Sequence, residues 1–448
     1  MVFKRKATLQ LKEWKTKCRG RYAALLEGAR RVGKSTIAEE FAKKEYKSYI
    51  KVDFANVPES ILNVFSSIAE LDKFFFQLQA VTGITLYERK SVLIFDEIQL
   101  QPKVRQAVKY LVKDGRYDYI ETGSLLSIRK NVAGIVIPSE EYRIRVYPMD
   151  YEEFIWATNK YSYSFMRGMF TDQKPLGQAV NREYMYNYRL YMTVGGMPQA
   201  VEAYMEKCPM KEIDMVKRGI IDLYEADFYR IDSSGRISMM FNSIPAQLER
   251  NSKRYSIGYA VKKKDSALDQ TLMADLINSR TVLPCFNCLD PSVTFSQGKD
   301  LEKFKLYLAD TGLFVTMILK TGKVTDTELY SKILSDKLPA NLGYLYENAV
   351  AQAITASGRD LYYMTWPKKD STHSYEIDFL ISRRAKTVPI EVKSSRTTEH
   401  HSLDAFIDKY SSLVTTPYVL SQKDISKDGQ IRMCPFFLCS FIFEQEAD

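Results

Sequence analysis

Two sets of residues in this sequence have the types and spacing that chemistry needs. The first is Gly28-Ala-Arg-Arg-Val-Gly33-Lys34-Ser35-Thr36, which follows the apolar run 23–26 and precedes a helical stretch from Thr36 to Lys44. This is the pattern G-x-x-x-x-G-K-[ST] in a strand–loop–helix setting, the setting a phosphate-binding loop requires. Gly28 and Gly33 allow backbone N–H groups to close around phosphate oxygens, where a Cβ would obstruct them. Lys34 brings a positive charge to the β- and γ-phosphates, and Ser35 offers a hydroxyl to Mg²⁺. The following helix aims its positive dipole end at the same anion. Gly28, Arg31, Gly33, Lys34, Ser35 and Thr36 therefore form the candidate nucleotide-binding set. The competing reading is an ordinary strand-to-helix turn.

Ser91-Val-Leu-Ile-Phe-Asp96-Glu97 supplies acids to go with this loop. Four apolar residues before two carboxylates read as a buried parallel strand with its acids at the C-terminal end, where open α/β sheets bind ligands. Asp96 is expected to hold Mg²⁺ through water and Glu97 to polarise the attacking water. Past the next strand core, Tyr119–Glu121, lies Thr122-Gly123-Ser124. Ser124 is the candidate to sense a γ-phosphate and Thr122 the alternative; a plain helix N-cap is the bland reading. Arg143 and Arg145 alternate with apolar residues and share a strand face. A solvated basic face is expected there, with a γ-phosphate contact as the sharper alternative.

The second set lies in the last hundred residues: Glu347, Asp378, Glu391 and Lys393. Residues two apart on a strand share a face, so Glu391 and Lys393 project together. A six-residue turn region, Ser382–Thr387, lets the strand Tyr375–Ile381 bring Asp378 alongside. Asp378, Glu391 and a backbone carbonyl would make an oxygen-only site suited to Mg²⁺ or Mn²⁺, with Glu347 completing the shell. A metal there could activate water against a phosphodiester, and Lys393 could orient or deprotonate that water. The alternative is a surface hairpin with acidic and basic neighbours.

These residues must be positioned by an alternation of strands and helices. Residues 1–20 read as an amphipathic helix anchored by Leu9, Leu11 and Trp14. Tyr49–Phe54 is a second strand; 59–82 and Pro102–Asp114 are helical, as is Tyr151–Ala157. Residues 158–175 show no clear period and read as a linker or insertion. The pattern is helical from Asn181 to Arg230, broken at Val194-Gly-Gly-Met-Pro198, and again over 238–250 and 264–279. Thr281–Asn287 and Lys305–Leu308 are strand-like, so the middle could be a winged helix. The end follows an αβββαβ order: helix Asn341–Ala356, strands Leu361–Trp366, Tyr375–Ile381 and Val388–Lys393, helix Ser402–Tyr410 and strand Pro417–Leu420.

The 448 residues suffice for about three domains. Sixty-four Lys and Arg against 55 Asp and Glu leave a net charge of +9, compatible with a polyanionic partner such as DNA. Residues 1–17 are basic without an apolar core, unlike a secretory signal, and no apolar run approaches the ~20 residues of a membrane span. A cytoplasmic protein with no membrane partner is expected, and self-assembly is left open. The six cysteines are expected to be thiols. Cys285 with Cys288, and Cys434 with Cys439, have near-zinc spacing but lie in apolar runs, which favours buried thiols.

With these motifs assembled, the chain resembles the prokaryotic AAA-type ATPases fused to a C-terminal restriction-endonuclease-like, PD-(D/E)xK, domain. The resemblance rests on Gly28–Ser35, Ile94–Glu97, Thr122–Ser124, Tyr147-Pro-Met-Asp-Tyr-Glu-Glu-Phe154, Gly195-Gly-Met-Pro198, Leu308-Ala-Asp-Thr-Gly-Leu313, Gly343–Glu347, Glu376–Asp378 and Ile390–Lys393. The Gly-Gly-x-Pro and Leu-Ala-Asp-Thr-Gly-Leu stretches are the most particular to that family. Its frequent Gly-Arg pair before Tyr-Pro-Met-Asp is replaced here by Ser139-Glu-Glu-Tyr-Arg-Ile-Arg145. The expected fold is α/β: a P-loop parallel sheet over 1–157, a helical and winged-helix-like middle over 158–335 and a nuclease-like α/β domain over 336–448. The expected function is ATP binding and hydrolysis, with nucleotide state gating a metal-dependent nuclease. The alternative is an ATP-driven switch whose nuclease-like domain binds a partner without cutting.

Overall fold

The computed structural model describes residues 1–124, 138–250, 253–261, 266–321, 324–325, 327–335, 343–369, 371–394 and 399–444. The chain divides into two compact units. One is Met1–Tyr147 with Asn278–Arg280; the other is Pro148–Ile277 with Thr281–Asp448. Among the described residues no helix is long and apolar enough to cross a membrane.

The first unit is a five-stranded sheet of β1 (Ala23–Glu27), β2 (Ser48–Asp53), β3 (Ser91–Asp96), β4 (Asp118–Gly123) and β5 (Glu141–Arg145) in the order β2-β3-β4-β1-β5. Every pairing is parallel. β1, β3 and β4 are buried along their whole length, the signature of a sheet covered on both faces. One face packs on an aromatic-rich cluster that includes Phe54, Phe65, Phe74, Phe95 and Tyr119. Helix α1 (Lys6–Cys18) buries Ala7, Leu11, Trp14 and Cys18, a stripe at helical spacing. Leu9, expected as an anchor, is off that stripe and exposed. The region 59–82 is two helices, Glu59–Val64 and Leu71–Thr82, separated by a 3₁₀ turn.

The second unit begins with the helix Tyr151–Thr158, closed by a capping box. Asp150 accepts the Glu153 N–H at 2.9 Å and the Glu153 carboxylate accepts that of Asp150. Asp150 and Glu153 of the Tyr-Pro-Met-Asp-Tyr-Glu-Glu stretch are thus spent on a helix start. Residues 158–175, expected as a linker or insertion without clear period, contain the helix Tyr163–Asp172. Its buried Tyr163, Met166 and Met169 are the stripe, and Ser162 caps it. The helices Gln178–Val194, Pro198–Met205 and Met210–Ile231 follow. The expected helix 264–279 is Ser266–Asn278; residues 264–265 lie outside the described residues.

Two sheets complete this unit. β6 (Val282–Cys288) and β7 (Lys299–Leu308) form an antiparallel pair. Rather than ending as a separate wing, β6 continues in parallel to β10 (Leu361–Pro367), giving the order β11-β10-β6-β7 with β11 (Ser374–Ile377). Short strands β8 (Lys320–Thr321) and β9 (Val324–Thr325) pair with each other. The last sheet, β12-β13-β14-β16-β15, comprises β12 (Phe379–Arg383), β13 (Lys386–Val392), β14 (Tyr418–Ser421), β15 (Ser426–Asp428) and β16 (Ile431–Pro435). The single strand expected over Tyr375–Ile381 is therefore two strands in two sheets, parted at Asp378. The expected six-residue turn is a two-residue hairpin: Arg384 and Ala385 both have positive φ, 47° and 60°.

The two stretches most particular to the family resemblance pack on one another. Gly195 has φ 86°, and the Gly196 N–H donates to the buried Asp310 carboxylate at 2.6 Å. A Cβ on Gly312 would lie 2.4 Å from the Gly195 Cα, so two backbones meet here with no room for side chains. Asp310 also accepts the Leu313 N–H at 2.8 Å and so caps the helix Thr311–Leu319. The fully buried Lys217 donates to the Thr193 and Gly312 carbonyls and to the Tyr330 hydroxyl. Burial pushes its pKa down to about 8.

Candidate functional site

In the first unit the loop 28–33 leaves the buried end of β1 and enters helix α2 (Lys34–Glu45). Arg31 and Gly33 are left-handed, with φ 69° and 94°, and Gly33 is the helix N-cap. Such alternation of backbone handedness turns successive N–H groups toward one concavity. Gly28 cannot carry a side chain, because its Cβ would meet the Val146 carbonyl oxygen at 2.1 Å. Arg5, just before α1, braces the loop: its guanidinium donates to the Val32 carbonyl at 2.8 Å and to that of Tyr147 at 2.6 Å.

Lys34 is buried and its ammonium donates to the carbonyls of Gly28 at 3.1 Å and Ala29 at 2.8 Å. Burial pushes its pKa down to about 8, opposed by Glu97 and Asp96. Ser35 Oγ donates to Asp96 Oδ1 at 2.7 Å. Thr122 donates to the same oxygen and accepts the Glu97 N–H at 3.3 Å. The other Asp96 oxygen lies 3.4 Å from the Lys51 ammonium. Glu97 sits in a left-handed turn at φ 54°, and the Gln99 amide donates to its carboxylate. Loop, β3 and β4 thus converge in one connected constellation. Thr36 occupies the first turn of α2, and Ser124 is half-buried just past β4. Arg143 and Arg145 are half-exposed; Arg145 lies 3.7 Å from Glu27.

Arg5, Lys51 and Gln99 were not singled out by the sequence reading. The signals for the last two were faint: a lysine alternating along an apolar strand, and an amide two residues beyond the acidic pair. Thr122, the alternative to Ser124, is the one in contact with Asp96.

In the second unit, Glu347 stands on the helix Gly343–Ala356; residues 341–342 of the expected helix lie outside the described residues. Asn348 exchanges hydrogen bonds with the backbone of Leu308, and Gln352 accepts from Thr311, fixing this helix against the end of β7. Asp378 lies at the crossover between β11 and β12, and its Oδ2 accepts the Val392 N–H at 2.7 Å. Glu391, on β13, is buried and pairs with Lys393 at 2.6 Å. Burial raises the Glu391 pKa, with Lys393 opposing. Burial and the neighbouring Glu347 push the Asp378 carboxyl well above the usual range. The group the sequence reading missed is Lys305 on β7, directly opposite Cys285. Its signal was a lone lysine within the apolar strand Phe304–Leu308. Lys305 contacts Glu376 and Glu347. Burial pulls its pKa down, and the surrounding carboxylates outweigh that and raise it.

The four near-zinc cysteines are all buried thiols. Burial raises each, Cys288 to about 11 and Cys439 to about 12.

Comparison with known proteins gives three family matches along the chain. Residues 20–155 match an AAA domain, 185–324 a domain of unknown function (DUF8612) and 342–436 another (DUF4143). Among solved structures, a Walker-type ATPase of Pyrococcus abyssi is 17% identical, spanning 71% of this chain and 96% of its own, with a TM-score of 0.43. Cdc6p from Pyrobaculum aerophilum is 12% identical over 74% of this chain and 94% of its own, with a TM-score of 0.23. A STAND protein with a tetratricopeptide repeat sensor from Pyrococcus horikoshii is 11% identical over 78% of this chain and 48% of its own, with a TM-score of 0.28. No curated protein matches. The parallel sheet and the loop before α2 give residues 20–155, the stretch that matches an AAA domain, a P-loop NTPase-like fold.

Proposed function

We propose that this chain is an ATP-driven switch: the first unit binds and hydrolyses ATP, and its nucleotide state sets what the C-terminal region binds. The observation that carries the reading is the chain of hydrogen bonds from Ser35 through Asp96 and Thr122 to Glu97, next to the buried Lys34. Lys34 exchanges its two carbonyl partners for the β- and γ-phosphates. Ser35 Oγ and Asp96 Oδ1, already 2.7 Å apart, present two oxygens suited to a shared Mg²⁺. That ion, when bound, neutralises charge on the phosphates. Glu97 orients and polarises the attacking water. Thr122 ties Asp96 to the turn that presents Glu97, and Ser124 stands beside it as the γ-phosphate sensor. The reading includes a cytoplasmic location and DNA as the partner suggested by the chain's net charge of +9.

A second reading, a nuclease gated by ATP and acting on DNA with Mg²⁺ or Mn²⁺, is favoured by one observation. Asp378 accepts a hydrogen bond from Val392, so it lies beside the strand that carries Glu391. In that reading Glu347, Asp378 and Glu391 hold the metal and Lys393 serves the water.

The test is DNA affinity at fixed salt without nucleotide, with ADP and with a non-hydrolysable ATP analogue. A nucleotide-dependent change of ~5-fold or more, the low end of typical coupling, is expected. Identical affinities in all three states would end the switch. Metal-dependent cleavage lost in Asp378→Ala and Lys393→Ala would install the nuclease in its place.

A further inference from the structure

The carboxylates of the C-terminal region are already provided for by the chain itself. Glu347 comes from a helix, Glu376 from β11 and Asp378 from the crossover to β12, and Lys305 on β7 reaches into their midst. Lys305 is 4% exposed. Its Nζ is 2.5 Å from Glu376 Oε1, 3.8 Å from Glu347 Oε2 and 5.3 Å from the centroid of the Tyr363 ring. Glu347 also accepts the Tyr307 hydroxyl at 3.0 Å. Asp378 accepts the Val392 N–H, and Glu391 is drawn to Lys393.

A hard divalent cation needs six or more oxygens around it, several of them charged. Here Glu347, Glu376 and Asp378 each accept from a protein donor, while one oxygen of Glu391 is buried without a partner, and the central positive charge is an ammonium. Among the described residues no group of three or more His, Cys, Asp or Glu side chains is arranged to hold a metal ion. A second cation beside the buried Lys305 would meet repulsion from its ammonium. The residues present therefore do not fit the metal that a nuclease-like fold implies.

We propose that Lys305 is the resident cation of the Glu347–Glu376–Asp378 pocket, and that its ammonium excludes divalent metal from it. The inference deepens the switch reading, since it gives a physical reason for a nuclease-like region that binds without cutting. It also assigns Lys305 a definite role: it neutralises half-buried acids that would otherwise repel one another or recruit a metal.

The probe is Mn²⁺ alone, titrated into the nucleotide-free full-length chain and followed by the electron paramagnetic resonance of the free ion. Wild type and Asp378→Asn are expected to bind Mn²⁺ alike. Lys305→Met and Lys305→Gln are expected to gain a site, with affinity at the pocket raised by about a hundredfold or more. Adding Asp378→Asn in the same background should remove it. Circular dichroism identifies which variants are folded. A wild-type site abolished by Asp378→Asn overturns the proposal without any lysine variant. A folded lysine variant with no gained site overturns it too. Identical DNA affinities without nucleotide, with ADP and with the ATP analogue would sink the switch reading and leave this inference standing.

Discussion

Thr122→Val removes one hydroxyl from the centre of the proposed nucleotide site while keeping its shape. That hydroxyl donates to Asp96 and accepts the Glu97 N–H, and the side chain is fully buried. A hydrogen bond to a charged group contributes about 1.5–3 kcal/mol, and the orphaned N–H adds to the loss. At about 1.4 kcal/mol per factor of ten, the first contribution alone predicts a fall in kcat of ~10- to 150-fold if it is fully expressed in the transition state. Thr122 has no hydrogen bond to the phosphate loop, so ATP affinity should stay within about threefold of wild type. Thr122→Ser keeps the hydroxyl and should restore most of the rate. The assay is steady-state phosphate release beside calorimetric titration with ATP, with thermal unfolding to exclude a folding defect. A folded Val variant with wild-type turnover, or a Ser variant as impaired as Val, would refute the argued link between β4 and the acidic pair.

Three further outcomes follow from particular contacts. Lys34 is held near pKa 8 by burial, below its ordinary 10.5. The nucleotide-free protein therefore loses the Lys34 proton as pH rises through about 8, while polyphosphate favours the charged form. ATP affinity should fall above that pH with proton uptake on binding, seen as a buffer-dependent enthalpy, and Lys34→Arg should flatten the dependence. Gly312→Ala places a Cβ against the Gly195 Cα and Val194 carbonyl, both backbone, and should cost about 3 kcal/mol or more of stability. Gly168→Ala, in a helix with open space around it, should instead gain about 0.5–1 kcal/mol, and denaturant unfolding compares the two. Ala385→Gly relieves a left-handed alanine in the β12–β13 hairpin and should stabilise by about 1 kcal/mol; an unchanged or lowered midpoint would contradict the turn geometry.

The constellation proposed as the nucleotide site was largely legible because it is local. Gly28 through Thr36 lie in one strand–loop–helix, and the apolar run ending in Asp96 and Glu97 declares both its burial and its polar end. Helix Pro102–Asp114 has the expected bounds, since Pro102 and Gly115 punctuate it. What escaped depends on contacts far apart in sequence. The pairing of β10 with β6 joins residues some seventy-five positions apart, and periodicity says which face of a strand is buried but not against what. The break at Asp378 is invisible in an unbroken alternating run, because it reflects a change of sheet rather than of conformation. Lys305 looks like an error in an apolar strand until Glu347 and Glu376 are brought to it. The Gly-Gly-Met-Pro and Leu-Ala-Asp-Thr-Gly-Leu stretches stood out plainly, yet only their mutual packing explains why each needs its glycine.

The most direct test of the account is phosphate release from ATP by wild type, Lys34→Ala and Glu97→Gln, each paired with ATP titration. Wild type should bind and turn over. Lys34→Ala should lose affinity and turnover together, because it removes the charge aimed at the β- and γ-phosphates. Glu97→Gln should bind ATP as wild type does and release no phosphate, because only the water-polarising group is gone. Full hydrolysis by both variants would contradict the assignment of these residues, and with it the ATP-driven switch.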